Sequence, residues 1–368
     1  MTILIVGCVV SSFVVSCAAT AAMRRIAPRC GLIDQPNAAR KVHTTPTPLG
    51  GGIAIWVGIV VPLMAAHAVV WWINSATIPG WFPADLSQHL KGVVFKSQQL
   101  WAIVGGGTVM SILGLIDDKV ALRWQPKLLV QFLVAAGLVA AGVRATVFMQ
   151  TEWIGIALSI LWIVVLTNAF NFLDNMDGLS SGIGLIASVM FAVVMLTATS
   201  EPRWFVAAFL LILSGSLSGF LVHNWPPAKI FMGDSGSCLI GMLLASLTIV
   251  GTFFEYGKSS GRHVLLAPLC ILAVPLYDFC SVVTIRLLQG RSPFHADKQH
   301  FSHRLVELGL SRPNAVLTIY LVTMTTGLGA LLLYHVTSWT AAFLVLALIG
   351  CTLAVIAILE TVGRRKNQ

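Results

Sequence analysis

Charge is what this chain most lacks. Charged residues make up 10% of its 368 positions, against the roughly 25% usual for a soluble domain, while hydrophobic residues reach 57% and mean hydropathy is +0.87. That balance excludes a large soluble enzyme and leaves a polytopic, all-α membrane protein. The seven cysteines are scattered, most of them inside apolar runs, with no CxxC or CxxH pair, so neither a zinc site nor a disulfide framework is indicated. No basic residue precedes the first apolar run, Thr2–Met23. Arg24 and Arg25 follow it instead, so the run reads as an uncleaved first span and not as a signal peptide. No internal repeat, low-complexity tract or separate soluble domain is visible, so residues 1–368 read as one membrane domain.

The apolar runs that can cross a bilayer are eleven: Thr2–Met23, Leu49–Ile73, Leu100–Ile116, Leu128–Val143, Trp153–Leu166, Ser180–Ala198, Trp204–Val222, Ser237–Phe253, Val264–Leu288, Ala315–Tyr334 and Trp339–Val362. Their connections alternate sides, and Ala76–Lys96 reads as the longest outer loop. Of the 23 basic residues only Lys91, Lys96, Arg144, Arg203, Lys258 and Arg262 fall opposite the side that holds Arg24. The positive-inside rule then predicts an outside N-terminus and a cytoplasmic C-terminus. The net charge of +9 is accounted for by this asymmetry and gives no nucleic-acid signal.

Acids obey no such rule, yet every aspartate except Asp85 falls on or near the same side. A cation-binding, water-filled active site on the cytoplasmic face is the simplest cause. Asp117 and Asp118 stand side by side where an apolar run ends. Their mutual repulsion suits a divalent cation, and Mg²⁺, hard and oxygen-seeking, fits best. Asn168-Ala-Phe-Asn-Phe-Leu-Asp-Asn-Met-Asp-Gly178 places Asn168 and Asn171, then Asp174 and Asp177, three residues apart, a spacing that one helical face can hold. Asn224-Trp-Pro-Pro-Ala-Lys-Ile-Phe-Met-Gly-Asp-Ser-Gly236 supplies Asp234 as a third metal or phosphate carboxylate, with Asn224 and Phe231 able to bond to and stack on a base. Its Gly-Asp-Ser-Gly string matches serine hydrolases, but no base and acid accompany it.

Two loops carry the cations. The first offers Arg40, Lys41 and His43 for phosphate and Gly50, Gly51 and Gly52 for close backbone approach at a helix start, a place suited to anions. Arg286–Leu305 offers His295, His300 and His303 among Arg291, Asp297, Lys298 and Arg304. Surrounded by cations and without cysteine, these histidines suit phosphates or sugar hydroxyls better than zinc. Asp278, inside the ninth run, reads either as a site residue or as a buried acid paired with a neighbouring helix.

Taken in order, these strings resemble the polyprenyl-phosphate N-acetylhexosamine-1-phosphate transferases, a glycosyltransferase 4 superfamily, over about residues 31–304. The Pro-Asn-Ala-Ala-Arg-Lys-Val-His first loop, the Asn-Phe-Leu-Asp-Asn-Met-Asp-Gly loop and the His-Ala-Asp-Lys-Gln-His loop look like the WecA/TagO branch. Two departures stand out: Ala38-Ala39 makes the first loop one residue longer than the shortest family pattern, and Ser302 stands where a second His often precedes His303. The resemblance implies an enzyme of the bacterial cytoplasmic membrane that transfers N-acetylglucosamine 1-phosphate from UDP-N-acetylglucosamine to undecaprenyl phosphate. The products are the lipid-linked diphosphate and UMP, initiating a cell-surface glycopolymer such as lipopolysaccharide or teichoic acid. It implies Mg²⁺, with Mn²⁺ as a substitute, held by Asp234 with Asp117 and Asp118. It further implies Asn171, Asp174 and Asp177 on the nucleotide side, Asn224 and Phe231 near the uracil, and His295, His300 and Arg304 at the diphosphate or sugar. A homodimer is compatible with it. Other readings are the same chemistry on another UDP-sugar or a UDP-muramoyl-pentapeptide and, from a different class, a cation-coupled transporter, which would place charge at the bilayer midplane between paired broken helices.

Overall fold

A computed structural model describes residues 2–35, 46–74, 87, 90–145, 152–199, 202–251, 261–294 and 299–366. The spans are α1 (Thr2–Ile26), α2 (Gly51–Asn74), α3 (Leu90–Val120), α4 (Trp124–Ala140), α5 (Glu152–Leu173), α6 (Leu179–Val193, continued by a π turn at Val194–Ala198) and α7 (Trp204–Asn224). They continue as α8 (Asp234–Gly251), α9 (Ala267–Ile271), α10 (Ala273–Leu288), the short α11 (Phe301–Glu307), α12 (Arg312–His335) and α13 (Trp339–Lys366). Among the described residues nine helices are long and apolar enough to cross a membrane, and the bent pair Arg262–Ile271 and Ala273–Leu288 makes a tenth. α4, at 17 residues, is a shorter apolar helix. Every apolar run read from the sequence carries a helix, so the protein is an all-α, multi-pass membrane protein.

Two expectations are corrected. The ninth run is no single straight helix: it bends by 68° at Leu272. Pro275 has no amide to donate to Ile271, four residues back, so the helical ladder breaks just ahead of it. The Ala76–Lys96 loop is also shorter than expected, because α3 begins at Leu90. Lys96 bonds Gln99 one turn on (3.2 Å), and its charge extends the helix without lying in an apolar core.

α8 organises the bundle, every residue from Ser235 to Gly251 being buried. Gly114 of α3 lies against the backbone of Asp234 and Ser235, Gly52 of α2 against Gly236, and the backbone of Leu166 and Thr167 of α5 against Gly241. At each contact a methyl group would overlap main chain, so the helices meet at backbone distance. On the other side, Ser12 of α1 donates to the carbonyls of Gly58 (2.5 Å) and Ile212 (2.6 Å), Ser16 to Ser216 (2.7 Å), and Ser216 to Ile55 (2.8 Å). These buried hydroxyls lock α1, α2 and α7 together where apolar burial alone has little to discriminate in lipid.

This up-and-down order brings one set of helix ends together: the C-termini of α1, α3, α5, α7 and α10 and the N-termini of α2, α4, α6, α8 and α12. A two-residue antiparallel pair, Ile33–Asp34 with Thr47–Pro48, closes the base of the first loop at that end. Leu49 bridges to Phe231, whose amide donates to the Pro48 carbonyl (2.9 Å).

Candidate active site

The gathered helix ends surround a cleft of about 1060 Å³. Asp117 and Asp118 occupy the last turn of α3, where the helix dipole disfavours negative charge. Each finds a different remedy. Asp117 accepts from the Leu122 amide (2.7 Å) as the chain turns through a left-handed Ala121, and from Lys127 Nζ of α4 (2.5 Å). Lys127 also donates to Asp234 Oδ2 at 3.2 Å, so one ammonium serves two carboxylates from different helices. Asp118 instead accepts from the amides of Asp234 (2.9 Å) and Ser235 (3.3 Å), capping the N-terminus of α8 from outside it. Gly233, at φ 73°, lies so close to that carboxylate that a side chain there would displace it.

Asp174 lies between α5 and α6. Burial at the cleft floor, and then the carboxylates of Asp234, Asp118 and Asp177, hold its carboxyl well above the usual range. The amide of Gly233 opposes them by donating to it. Asp177 accepts from the Ala228 amide (2.9 Å), tying its loop to the segment before α8. Five carboxylates from three connections thus face one space, with Lys127 among them.

The amides mostly hold structure. Asn168 donates to Gln131 (2.6 Å) and to the Val164 carbonyl (2.8 Å), and Asn171 donates to Ser237 of α8 (3.1 Å). Asn224 is buried. Its oxygen accepts from the Gly178 amide (3.0 Å) and Ser181 (3.1 Å), and its nitrogen donates to the Ile230 carbonyl (2.9 Å). It therefore clamps the Asp177 loop to the Phe231 segment, and its amide is already committed on both sides. Phe231 lines the cleft. The helix start at Gly51 and Gly52 is no anion cradle: those amides donate to the carbonyls of Phe231 and Met232 (both 3.0 Å), binding α2 to the same segment.

Asp278 of α10 is fully buried and accepts from His300 Nδ1 (2.9 Å) and the Phe301 amide (2.6 Å) of the last loop, so the neighbouring-element pairing read for it is what the structure holds. His300 and His303 line the cleft. Arg304 is buried and donates to Ser281 (2.9 Å), which anchors α11 to α10. Ser302, the departure noted in the sequence, donates to Asn175 (2.5 Å) and so joins this loop to the Asp174–Asp177 turn. Arg40, Lys41, His43 and His295 lie outside the described residues.

Sequence reasoning passed over Lys127, counting it only as one more cytoplasmic cation. It also passed over Gln131, Trp124 and Arg286. A signal existed on α4: Lys127 and Gln131 are four apart on an apolar helix, and polar side chains there are costly unless they serve a site. Trp124 stacks on Phe294 (centroids 4.6 Å apart, 4° between planes), and the Arg286 guanidinium lies 5.0 Å from the Phe172 ring centre. Both walls come from residues far apart in sequence.

Carboxylates, one shared ammonium and an aromatic wall thus meet in one cleft at the end of a helical bundle. Residues 100–252 match the model of glycosyl transferase family 4. Over 338 residues the chain is 32% identical to the probable undecaprenyl-phosphate N-acetylglucosaminyl 1-phosphate transferase of Bacillus subtilis, covering 90% of this chain and 85% of that one. It is 35% identical over 335 residues to the decaprenyl-phosphate N-acetylglucosaminephosphotransferase of Mycobacterium tuberculosis (85% and 78% covered). It is 27% identical over 330 residues to the undecaprenyl-phosphate alpha-N-acetylglucosaminyl 1-phosphate transferase of Escherichia coli (84% and 79% covered). The chain belongs to glycosyl transferase family 4.

Proposed function

We propose that this protein transfers N-acetylglucosamine 1-phosphate to a polyprenyl phosphate, with UDP-N-acetylglucosamine as donor and undecaprenyl phosphate as acceptor. The observation that carries the reading is the pairing of Asp117 and Asp234 through Lys127 at the cleft, in a chain whose relatives bear that activity in their names. An oxygen of the lipid phosphate attacks the β-phosphorus of the nucleotide sugar. The bond from that phosphorus to the bridging oxygen breaks, and UMP leaves with the oxygen. Two anions must approach, so the task of the protein is positioning and charge neutralisation.

Lys127 supplies one cation at the centre of that approach. The donor set also fits Mg²⁺. Among the described residues no three acids, histidines or cysteines form a preformed cage, but Mg²⁺ is commonly held by one or two carboxylates together with water and substrate phosphates. Asp117 and Asp234 present oxygens near enough to share one ammonium, and Asp234 would be the principal ligand. Asp118, whose oxygens accept amides, would fix Asp234 in place. When bound, Mg²⁺ (or Mn²⁺ in its stead) would neutralise phosphate charge. Asp174, Asp177 and Asn171 would border the nucleotide, Phe231 would face the base, and His300, His303 and His295 would take the diphosphate or sugar, with Arg40, Lys41 and His43 supplying charge for phosphate.

The site would face the cytoplasm of a bacterial inner membrane, with the N-terminus outside. Ser292→Cys and Thr337→Cys, at opposite ends of the bundle and each in a chain whose seven native cysteines are replaced by Ser, test this: a membrane-impermeant thiol reagent on intact cells should label only Thr337→Cys. Labelling of Ser292→Cys there reverses the orientation. The activity is tested with purified protein, Mg²⁺, undecaprenyl phosphate and equal concentrations of UDP-N-acetylglucosamine and UDP-muramoyl-pentapeptide, following UMP release and lipid product. Consumption of the first donor is expected. Preference for the pentapeptide donor overturns the donor assignment, and no UMP with any UDP-sugar overturns the reaction.

A further inference from the structure

A second cavity, of about 260 Å³, opens at the same end of the bundle but on its outside, lined by Ala21, Arg24, Arg25, Pro48 and Lys229. Nothing in the proposed reaction uses it. Three cations converge there from α1 and from the segment following α7. Among the described residues no carboxylate bridges any of them, and the one side-chain contact at the cluster is Arg24 Nη1 with His223 Nδ1 at 3.4 Å. Like charges gathered without an acid repel each other unless an anion joins them.

The surroundings say which anion. α1 carries a lipid-facing stripe, Val6, Val10 and Val14 all being about half exposed, and this stripe runs along the helix that ends at Arg24 and Arg25. Trp225, 40% exposed at the end of α7, marks the depth at which indoles meet headgroups. A cavity with cations at headgroup depth and apolar surface leading away along the helix matches a molecule with a phosphate at one end and acyl chains at the other. We propose that Arg24, Arg25 and Lys229 form a binding site for the phosphate of an anionic phospholipid. The site stands apart from the catalytic cleft but touches its scaffold: Pro48 accepts from the Phe231 amide, and the Lys229 amide donates to the His223 carbonyl (both 2.9 Å).

The full chain, purified in mild detergent and mixed with phosphatidylglycerol and phosphatidylcholine, would be weighed intact by native mass spectrometry. The expected result is retention of phosphatidylglycerol over phosphatidylcholine by the wild type. Retention should be weaker by about 10²-fold, at the scale of three interfacial cations, in Arg24→Gln/Arg25→Gln/Lys229→Gln. It should be unchanged in Arg364→Gln/Arg365→Gln/Lys366→Gln, which removes equal charge elsewhere on the same side. Equal loss in the two triple variants reduces the site to a general charge effect and overturns it. So does competition by millimolar inorganic phosphate, which makes it a free-anion site, or displacement by equimolar undecaprenyl phosphate, which makes it a carrier site. Binding is read without turnover, so failure of the transferase reading leaves this test standing, and the reverse holds too.

Discussion

Asp117 and Asp118 are neighbours in sequence, at the same unfavourable end of the same helix, and they do different work. Asp117 reaches across to Lys127 and shares that ammonium with Asp234. Asp118 turns the other way and caps α8, whose first residue is Asp234 itself. One carboxylate shares an ammonium with Asp234, and its neighbour holds the helix that presents Asp234. A row of acids on one membrane face is therefore not a row of equivalent ligands. What separates the two neighbours is that both oxygens of Asp118 are filled by backbone amides, whereas Asp117 gives one oxygen to the Leu122 amide and keeps the other for Lys127.

The sharpest way to break this contrast is to remove charge without changing shape. Asp234→Asn should lower turnover by at least ~10²-fold, the scale of losing one electrostatic stabiliser, with thermal unfolding in detergent unchanged. Asp118→Ala should lose turnover and stability together: a lost cap costs about 1–2 kcal/mol, visible as a fall in Tm, because the start of α8 loosens. If Asp118→Ala unfolds at the wild-type temperature while Asp234→Asn does not, the two roles are exchanged.

The spans were legible because a bilayer imposes length and apolarity on each of them, and the one-sided aspartates announced a site because nothing about topology requires acids to cluster. What stayed hidden depended on pairing at a distance. The cap on α8 comes from 116 residues earlier, a relation no local pattern encodes. Lys127 reads in the sequence as one more positive-inside cation, and that reading concealed its pairing with Asp117 and Asp234. Asn224 and Gly52 sit in motifs that suggest ligands, yet their hydrogen bonds go to groups of the protein itself. The bend at Leu272 was written in Pro275, but a continuous apolar run hid it.

A gentler test separates the cleft floor from its last loop. Asp278 is buried and touches no substrate space directly. It holds His300 through Nδ1, which fixes that nitrogen as the donor and leaves Nε2 to the cleft side. Asp278→Asn keeps the shape and one acceptor for the Phe301 amide, but its amide can present a donor to Nδ1 and so favour the other tautomer. The expected effect is a rise of about tenfold in KM for the nucleotide sugar, the scale of one misplaced orienting partner, with kcat changed far less and KM for the lipid phosphate unchanged. Asp278→Ala, which leaves both donors without a partner, should lower stability as well, whereas Asp278→Glu should recover part of the nucleotide-sugar affinity. Steady-state kinetics against each substrate in turn decides the matter. If Asp278→Asn lowers kcat and leaves KM for the nucleotide sugar untouched, His300 acts on the reacting phosphates and not on donor binding, and the division between carboxylate floor and histidine loop has to be redrawn.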